Sequence, residues 1–168
     1  MHIKDISFCI NHCQYFFYPT TGEHIFFDSQ EITPFLKQPT IDHASSLIGM
    51  NVHVRQQILN WLRSIAQNHD VVIDGRDVGS VIFPDAQFKF FMTAPIDVRV
   101  GRWMKDQEKR GNTFTFEQAK KLVEERDTRD QERSIAPLKM AENSFIIDNG
   151  ELAPEQTVDL MMKDIKKE

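Results

Sequence analysis

Apolar and aromatic residues in the first part of the chain are spaced as in short strands. A turn-forming segment at residues 19–22 separates an aromatic run at 15–18 from a second apolar run at 24–27. Before these runs, three apolar residues alternate with polar neighbours: Ile6, Phe8 and Ile10. Alternation with a period of two is typical of half-buried strands. We therefore expect residues 3–28 to form a small antiparallel meander.

The next part of the chain changes to helical spacing. Pro34 and Pro39 interrupt any long element in residues 29–39, so a connector is expected there. From residue 41 to residue 67, apolar positions recur at intervals of three and four, with Gly49 as a break. These positions are Ala44, Leu47, Ile48, Val54, Ile58, Leu59, Leu62 and Ile65. The pattern predicts two helices.

The remainder of the chain alternates short continuous apolar runs with helical stretches. The runs at 71–73, 88–94 and 144–147 are typical of strands buried on both faces. Helices are predicted at 95–109, at 116–132 and from Pro154 onward, where proline suits a first helical turn. Strands that alternate with helices predict an α/β fold with a parallel sheet covered by helices.

Composition and charge exclude several classes of function. The chain has 168 residues, 40% of them hydrophobic, and a formal net charge of -5, which argues against a general binder of nucleic acid polymers. No apolar run approaches the roughly 20 residues of a membrane span. The first residues lack the features of an export signal, so we expect a cytoplasmic protein without membrane partners.

The two cysteines, Cys9 and Cys13, are expected to be ordinary thiols in a reducing compartment. His12 and His24 lie nearby in the sequence, but the spacing of the cysteines is not that of a zinc site. We expect no bound metal there.

Charged residues follow the first apolar run of the α/β part. In the segment 74–80, Arg76 lies between Asp74 and Asp77, at the predicted carboxyl end of a parallel strand, where ligands bind in open sheets. An Asp-Gly pair alone would indicate a simple turn. An arginine between two acids favours a ligand site, because desolvating the three charges without a ligand is costly.

A second charged segment lies at the end of the predicted helix 116–132. Arg126, Arg129 and Arg133 have the spacing i, i+3 and i+7, which places them on one helical face beside Asp130. Three guanidinium groups on one face suit phosphate oxygens. The alternative is a solvated helix with pairs of opposite charge, which such runs often form.

A third basic group consists of Arg99 and Arg102, one turn apart on the preceding helix. Their spacing would let them close over a polyphosphate. A pair of this kind is also common on ordinary protein surfaces, where it contributes little.

Two of these segments resemble one known family. The string at 74–86, DGRDVGSVIFPDA, looks like the segment after the substrate-side strand of cytidylate kinases. The segment 125–133 with Ala136-Pro137-Leu138 is similar to the lid and following helix of the same family. The similarity runs in register from about residue 71 to the end of the chain. Weaker similarity upstream covers 44–46, 54–55 and the predicted meander, which resembles an extra antiparallel insert.

The resemblance implies a fold and two regions. The fold is that of P-loop nucleoside monophosphate kinases, with a parallel sheet covered by helices and a small antiparallel insert near the N-terminus. Residues 1–70 would form the CMP-binding region, and residues 71–168 the rest of the kinase core. A lid would extend over about residues 99–133.

The resemblance also implies roles for individual residues, whose types suit those roles. Ser46, Arg55 and Asp77 would read the cytosine edge, and Arg76 would hold the substrate phosphate. The lid arginines Arg126, Arg129 and Arg133 would neutralise the phosphoryl groups, with further phosphate contacts from Arg99 and Arg102, while Asp130 would contact a sugar hydroxyl. Phosphoryl transfer depends mainly on positioning and charge stabilisation, for which arginines are suited.

The sequence departs from the family at the donor phosphates. Such kinases need a glycine-rich loop with lysine, followed by serine or threonine for magnesium. None of the seven glycines is followed by lysine. We therefore expect the P-loop and its strand to be absent. The strand would lie between the runs at 71–73 and 88–94, so a gap in the sheet is expected. Either a second polypeptide fills this gap, the neighbouring strands close up, or the reading frame is a truncated copy.

The expected activity is phosphoryl transfer from ATP, with Mg²⁺, to CMP or dCMP, giving CDP or dCDP. The alternative is a catalytically inactive, truncated relative that binds nucleotides, and a nonfunctional remnant is a third possibility. A donor loop encoded upstream of Met1 would favour the first.

Overall fold

A computed structural model describes residues 3–18, 20–36, 41, 44–45, 48–67 and 69–166. The chain divides into two compact units, residues 1–72 and residues 73–168.

The first unit begins with a helix rather than the predicted strand. Helix α1 spans Ile3–His12, and α1 packs against a later helix of the same unit. The strand prediction for this segment was wrong because its apolar residues fit two periods. Ile6 and Ile10 are four residues apart, a helical spacing, while with Phe8 they also alternate. A short run of this kind cannot distinguish helix from strand.

The antiparallel sheet follows this helix. Its strands are β1 (Cys13–Tyr18), β2 (Gly22–Phe27) and β3 (Gln30–Glu31), in the order β1-β2-β3. The register pairs Cys13 with Phe27 and Tyr18 with Gly22. The predicted strands at 15–18 and 24–27, and their antiparallel pairing, are confirmed. Asp28 and Ser29 both have positive φ, 47° and 67°, as the tight turn between β2 and β3 requires.

Two further helices of the first unit have described bounds. The short α2 spans Thr33–Leu36, within the predicted connector, and α3 spans Val52–Ala66. The side chain of Asn51 caps α3 by accepting hydrogen bonds from the amides of His53 (2.9 Å) and Val54 (3.3 Å). The predicted helix after the break near Gly49 is confirmed. The helix predicted before the break lies largely outside the described residues.

In the described part of the second unit, a two-stranded parallel sheet is accompanied by three α-helices. Strand β4 pairs in parallel with β5, and Phe90 lies opposite Phe145. The predicted parallel pairing and all three predicted helices are confirmed. The elements are β4 (Phe90–Thr93), α4 (Ile96–Lys109), α5 (Phe116–Glu132), β5 (Phe145–Asp148) and α6 (Pro154–Ile165).

Helices α4 and α5 form a hairpin with its own apolar centre. Val100, Ala119 and Val123 are buried there. The partly buried side chains around them are Ile96, Trp103, Met104 and Phe114. A capping box of Thr115 and Gln118 starts α5. Packing within the hairpin therefore fixes the position of α5, including its charged C-terminal end.

The run at 71–73 does not form a strand, which corrects the sequence prediction. Val71 is exposed and Val72 is fully exposed. The strands β4 and β5 are also not buried on both faces: Ile147 is buried, but Ile146 is 63% exposed. Within the described chain, β4 pairs with β5 alone, so its other edge has no neighbouring strand. A buried strand needs such neighbours for its backbone hydrogen bonds.

No helix in the described ranges is both long and apolar enough to cross a membrane.

Candidate functional site

The last residues of the segment 74–80 belong to a single π-helical turn. Residues Val78–Ile82 form a π-helix, and the carbonyl of Asp77 accepts hydrogen bonds from the amides of Val81 (2.9 Å) and Ile82 (3.2 Å). A β-carbon on Gly75 would lie 2.8 Å from a methyl group of Val78, so a larger residue cannot replace this glycine without a shift. Single π-helical turns are frequent at functional sites. This turn holds Asp77, only 7% exposed, in a fixed position.

The face of α5 that is buried in the N-terminal half of the helix continues into its C-terminal half. Ala119 and Val123 are buried, and Arg126 and Asp130 follow them at intervals of three and four residues. The helix ends at Glu132, where the amide of Leu138 returns to bond the carbonyl of Asp130 at 2.7 Å. The same face therefore changes from apolar to charged beyond the core of the hairpin.

Arg133 does not lie on this helix, which corrects the predicted face of three arginines. It is the C-cap of α5, with a non-helical ψ of 136°. Its Nε atom donates to the carbonyl of Ala136 at 2.6 Å. The spacing i+7 presumed a helix that continues to residue 133, whereas the chain turns back there. Only Arg126 and Arg129 of the three are helical.

Four of the predicted site residues form a chain of alternating charges. Asp130 Oδ2 accepts a hydrogen bond from Arg76 Nε at 2.9 Å, and Asp130 Oδ1 lies 4.0 Å from Arg133 Nη1. Arg133 Nη2 in turn lies 3.4 Å from Asp77 Oδ1. Two segments that are far apart in the sequence, 74–77 and 130–133, are thus brought together. We call these four residues the charge cluster.

The two arginines of the charge cluster differ in what surrounds them. The side chain of Arg76 is 46% exposed, whereas that of Arg133 is 19% exposed. Arg133 Nη2 is buried and makes no hydrogen bond within the described residues, although it is 3.4 Å from Asp77. The contact is therefore an ion pair outside hydrogen-bonding geometry. Arg76 faces solvent, and Arg133 is enclosed by protein.

Arg126 and Arg129 have different environments on the same helix. Arg126 is exposed, and its guanidinium has no partner among the described residues; it lies one turn before Asp130. Arg129 lines an open hollow on the outer surface of α5, among Lys121, Glu124, Glu125, Thr128 and Glu132. Acidic residues thus surround Arg129, while Arg126 presents an unopposed positive charge beside the charge cluster.

The predicted phosphate contacts Arg99 and Arg102 are tied to other parts of the second unit. Arg99 forms an ion pair with Asp127, and its Nε atom donates to the carbonyl of Ala94 at 3.1 Å. Arg102 donates to the side chain of Asn149 at 3.0 Å and to its carbonyl at 2.6 Å. The sequence interpretation gave Asp127 and Asn149 no role. Asp127 lies inside a motif that it quoted, but no spacing rule pairs it with Arg99.

The remaining predicted residues belong to the first unit. Arg55 is half-buried on α3, and its Nη1 atom donates to the carbonyl of Gly49 at 3.2 Å. Ser46 lies outside the described residues. The predicted base-reading role of these two residues stays a prediction.

No group of three potential metal ligands occurs in the parts of the chain that the structure describes. Cys9 and Cys13 are free thiols, and burial, with smaller contributions from Cys9 and Asp28, raises the pKa of Cys13.

The sequence also matches known proteins over most of its length. The family model described as cytidylate kinase matches residues 2–167. The cytidylate kinase of Caldanaerobacter subterraneus subsp. tengcongensis is 33% identical over 87% of this chain and 65% of its own length. That of Enterococcus faecalis is 32% identical over 96% of this chain and 72% of its own length. The cytidylate kinase of Geobacillus sp. is 34% identical over 84% of this chain and 63% of its own length. The chain thus spans about two thirds of the length of these relatives.

Proposed function

Because the chain belongs to the cytidylate kinase family, we propose that it binds CMP or dCMP as the acceptor of a phosphoryl group from ATP. The products are CDP or dCDP. The observation that carries this proposal is the charge cluster, in which segments 74–77 and 130–133 meet. The cluster joins the two motifs through which the sequence resembles the family.

The acceptor phosphate binds at the solvent side of the charge cluster. Arg76 uses its Nε atom for Asp130, and its Nη atoms contact no other described residue. Arg126, one turn before Asp130 and without a described partner, adds a second positive charge. Bidentate arginine contacts are among the strongest available to a phosphate oxygen. These two arginines are therefore the phosphate ligands. Arg133, which is enclosed by protein, contributes its positive charge without contacting the phosphate.

Asp77 selects cytosine over uracil. A carboxylate accepts a hydrogen bond from the exocyclic amine of cytosine, whereas uracil presents a carbonyl oxygen at the same position. Two acceptors facing each other in a site with little solvent are unfavourable. Asp77 is buried, which strengthens this discrimination. For Arg55 and Ser46, in the region 1–70, we propose the base-reading role that the family resemblance implies.

The region 71–168 supplies the rest of the core, with a lid at about residues 99–133. Arg129, Arg99 and Arg102 belong to this lid and add positive charge as it closes over the phosphates. The bonds of Arg102 to Asn149, which lies outside the lid, are the contacts that such closure would exchange.

The donor side needs a further segment. No glycine of this chain is followed by lysine, so no glycine-rich loop cradles the ATP phosphates in the usual way. The open edge of β4 can accept a strand that leads into such a loop. We assign that strand to a second polypeptide. As the family resemblance implies, magnesium would enter the site together with ATP as part of the donor substrate.

Calorimetric titration of the purified chain with CMP, dCMP, UMP and cytidine tests the acceptor site. We expect CMP to bind about 5- to 150-fold more tightly than UMP, equivalent to about 1–3 kcal/mol, and more tightly than cytidine, because the base and the phosphate each have their own contacts. Replacing Arg76 by alanine should remove the advantage of CMP over cytidine.

The matched control is Arg110→Ala, at an exposed arginine just after α4, which should leave all four affinities unchanged. Equal binding of CMP and UMP, or no binding of either, would contradict the proposed function.

A further inference from the structure

The two oxygen atoms of Asp130 face two arginines that come from different segments. Oδ2 accepts the hydrogen bond of Arg76 Nε at 2.9 Å, and Oδ1 lies 4.0 Å from Arg133 Nη1. The side chain of Asp130 is only 19% exposed. This one carboxylate therefore sits between the loop at 74–77 and the end of α5.

Asp130 is itself firmly held. It lies in the last turn of α5, and its carbonyl accepts the amide of Leu138 at 2.7 Å. The backbone of Asp130 is thus held by hydrogen bonds, so its carboxylate has a fixed position for the groups that contact it.

Arg133 does not depend on Asp130 for its position. Its Nε atom donates to Ala136, its amide donates to the carbonyl of Arg129 at 3.1 Å, and its Nη2 atom lies 3.4 Å from Asp77. These contacts remain if the carboxylate of Asp130 is removed, so Arg133 would keep its place.

Arg76 has no comparable support. Within the described residues, its guanidinium makes a single contact, the bond from Nε to Asp130, and almost half of its side chain is exposed. A free arginine side chain samples many rotamers, and holding it in one of them lowers the entropy lost when it binds a ligand. The orientation of Arg76 therefore rests on Asp130.

We infer that Asp130 is a positioning residue, whose carboxylate holds Arg76 by Nε and leaves both Nη atoms directed at the acceptor phosphate. This inference rests on the proposed function and assigns Asp130 a different role from contact with the sugar. An arginine held by Nε can still offer its two Nη atoms to two oxygens of one phosphate. The carboxylate acts through Arg76 and need not contact the nucleotide.

The first test follows Arg76 in the ligand-free chain, by NMR of nitrogen-labelled arginine side chains. In Asp130→Ala, the Nε–H signal of Arg76 should lose its protection from solvent exchange. The Nε–H signal of Arg133 should keep its protection because Ala136 still accepts it. The second signal shows that the fold is intact. An Arg76 signal that is unchanged by Asp130→Ala would overturn the inference.

The second test separates positioning from sugar contact by comparing CMP with cytidine. Asp130→Ala should lower the ratio of CMP to cytidine affinity about tenfold, the value of one charge-assisted hydrogen bond, and leave cytidine binding unchanged. In an Arg76→Ala background, the same change should have no such effect. Asp130→Asn, which keeps an acceptor oxygen, should restore part of the ratio.

Other outcomes of this comparison decide against the inference. If Asp130 contacts the sugar, Asp130→Ala weakens cytidine and CMP equally, and 2′,3′-dideoxycytidine is unaffected. If Asp130 acts only through its negative charge, its removal strengthens phosphate binding in both backgrounds.

If the proposed function is wrong, the wild-type chain will bind neither CMP nor cytidine, and this result differs from every outcome above. In that case inorganic phosphate is the probe. Its titration should shift the Arg76 Nε–H signal of the wild-type chain much more than that of the Asp130→Ala variant. A wild-type signal that does not respond to phosphate overturns the inference.

Discussion

Arg99 of α4 forms an ion pair with Asp127 of α5, directly beside Arg126 in the sequence. The same guanidinium donates through Nε to the carbonyl of Ala94, just after β4. One arginine thus connects the end of a strand to both helices of the hairpin. The hairpin carries Arg126 and Asp130, so its rigidity bears on the site.

The first prediction concerns the energy of this ion pair. A double-mutant cycle with Arg99→Ala and Asp127→Ala, followed by urea unfolding, should give a coupling of about 0.5 to 1 kcal/mol, since both side chains are partly exposed. The control is the more exposed pair Lys109 and Asp106, at 3.5 Å, where the coupling should be close to zero. Equal couplings in the two pairs would show that Arg99 is an ordinary surface residue.

The second prediction concerns selection of the base. Asp77→Ala should reduce the preference for CMP over UMP by about 1–3 kcal/mol, because the acceptor for the cytosine amine is lost. Calorimetry with both nucleotides measures the change. Since Asp77 also faces Arg133 at 3.4 Å, thermal unfolding must accompany the titration. A preference that survives in a folded variant would exclude this assignment of Asp77.

The third prediction distinguishes two arginines of the lid motif. Arg126→Glu should weaken binding of a compound that links cytidine to adenosine through a polyphosphate, with little effect on cytidine, because Arg126 is exposed and lacks a described partner. Arg133→Glu should instead lower the free energy of unfolding, because a third carboxylate would lie between Asp77 and Asp130.

Binding and urea unfolding are measured on both variants, with Arg110→Glu as the control for a change in net charge. If Arg126→Glu weakens cytidine as much as the linked compound, Arg126 has a structural role.

The fourth prediction concerns catalysis. The chain by itself should show no measurable phosphoryl transfer from ATP to CMP, because no glycine-lysine pair is present to hold the donor phosphates in line. A coupled assay of ADP release measures this, before and after adding a polypeptide that supplies a strand, a P-loop and its helix. Turnover by the isolated chain on the order of 1–100 per second, the usual range for kinases, would prove the prediction wrong.

Elements marked by short-range sequence signals, such as a capping box or an apolar run, were predicted correctly. The helix at 116–132 has a capping box at Thr115 and Gln118 and keeps apolar spacing at Ala119 and Val123, so its bounds could be predicted from the sequence. The strands β4 and β5 could be predicted from their apolar runs, as could their parallel pairing from the helices between them.

Features that depend on distant neighbours were not predictable in this way. The run at 71–73 has the composition of a buried strand, but a strand forms only where another strand accepts its hydrogen bonds. Arg133 leaves the helix because Leu138 returns to bond Asp130, and helical spacing alone does not reveal that turn. The bond between Arg76 and Asp130 joins residues 54 positions apart, which periodicity does not detect.

The charge cluster has a consequence for how the sequence can change over time. Its two carboxylates and two guanidinium groups balance, and three of the four side chains are mostly buried. Loss of Asp77 or Arg133 takes the nearest opposite charge from its partner in a place that water reaches poorly, which is destabilising. Single replacements at Asp77 or Arg133 are therefore selected against even where catalysis is not required, whereas the half-exposed Arg76 can be replaced at a lower cost in stability. Drift at Asp77 and Arg133 should proceed by paired replacements, and this pair should outlast the activity in descendants that have ceased to act as enzymes.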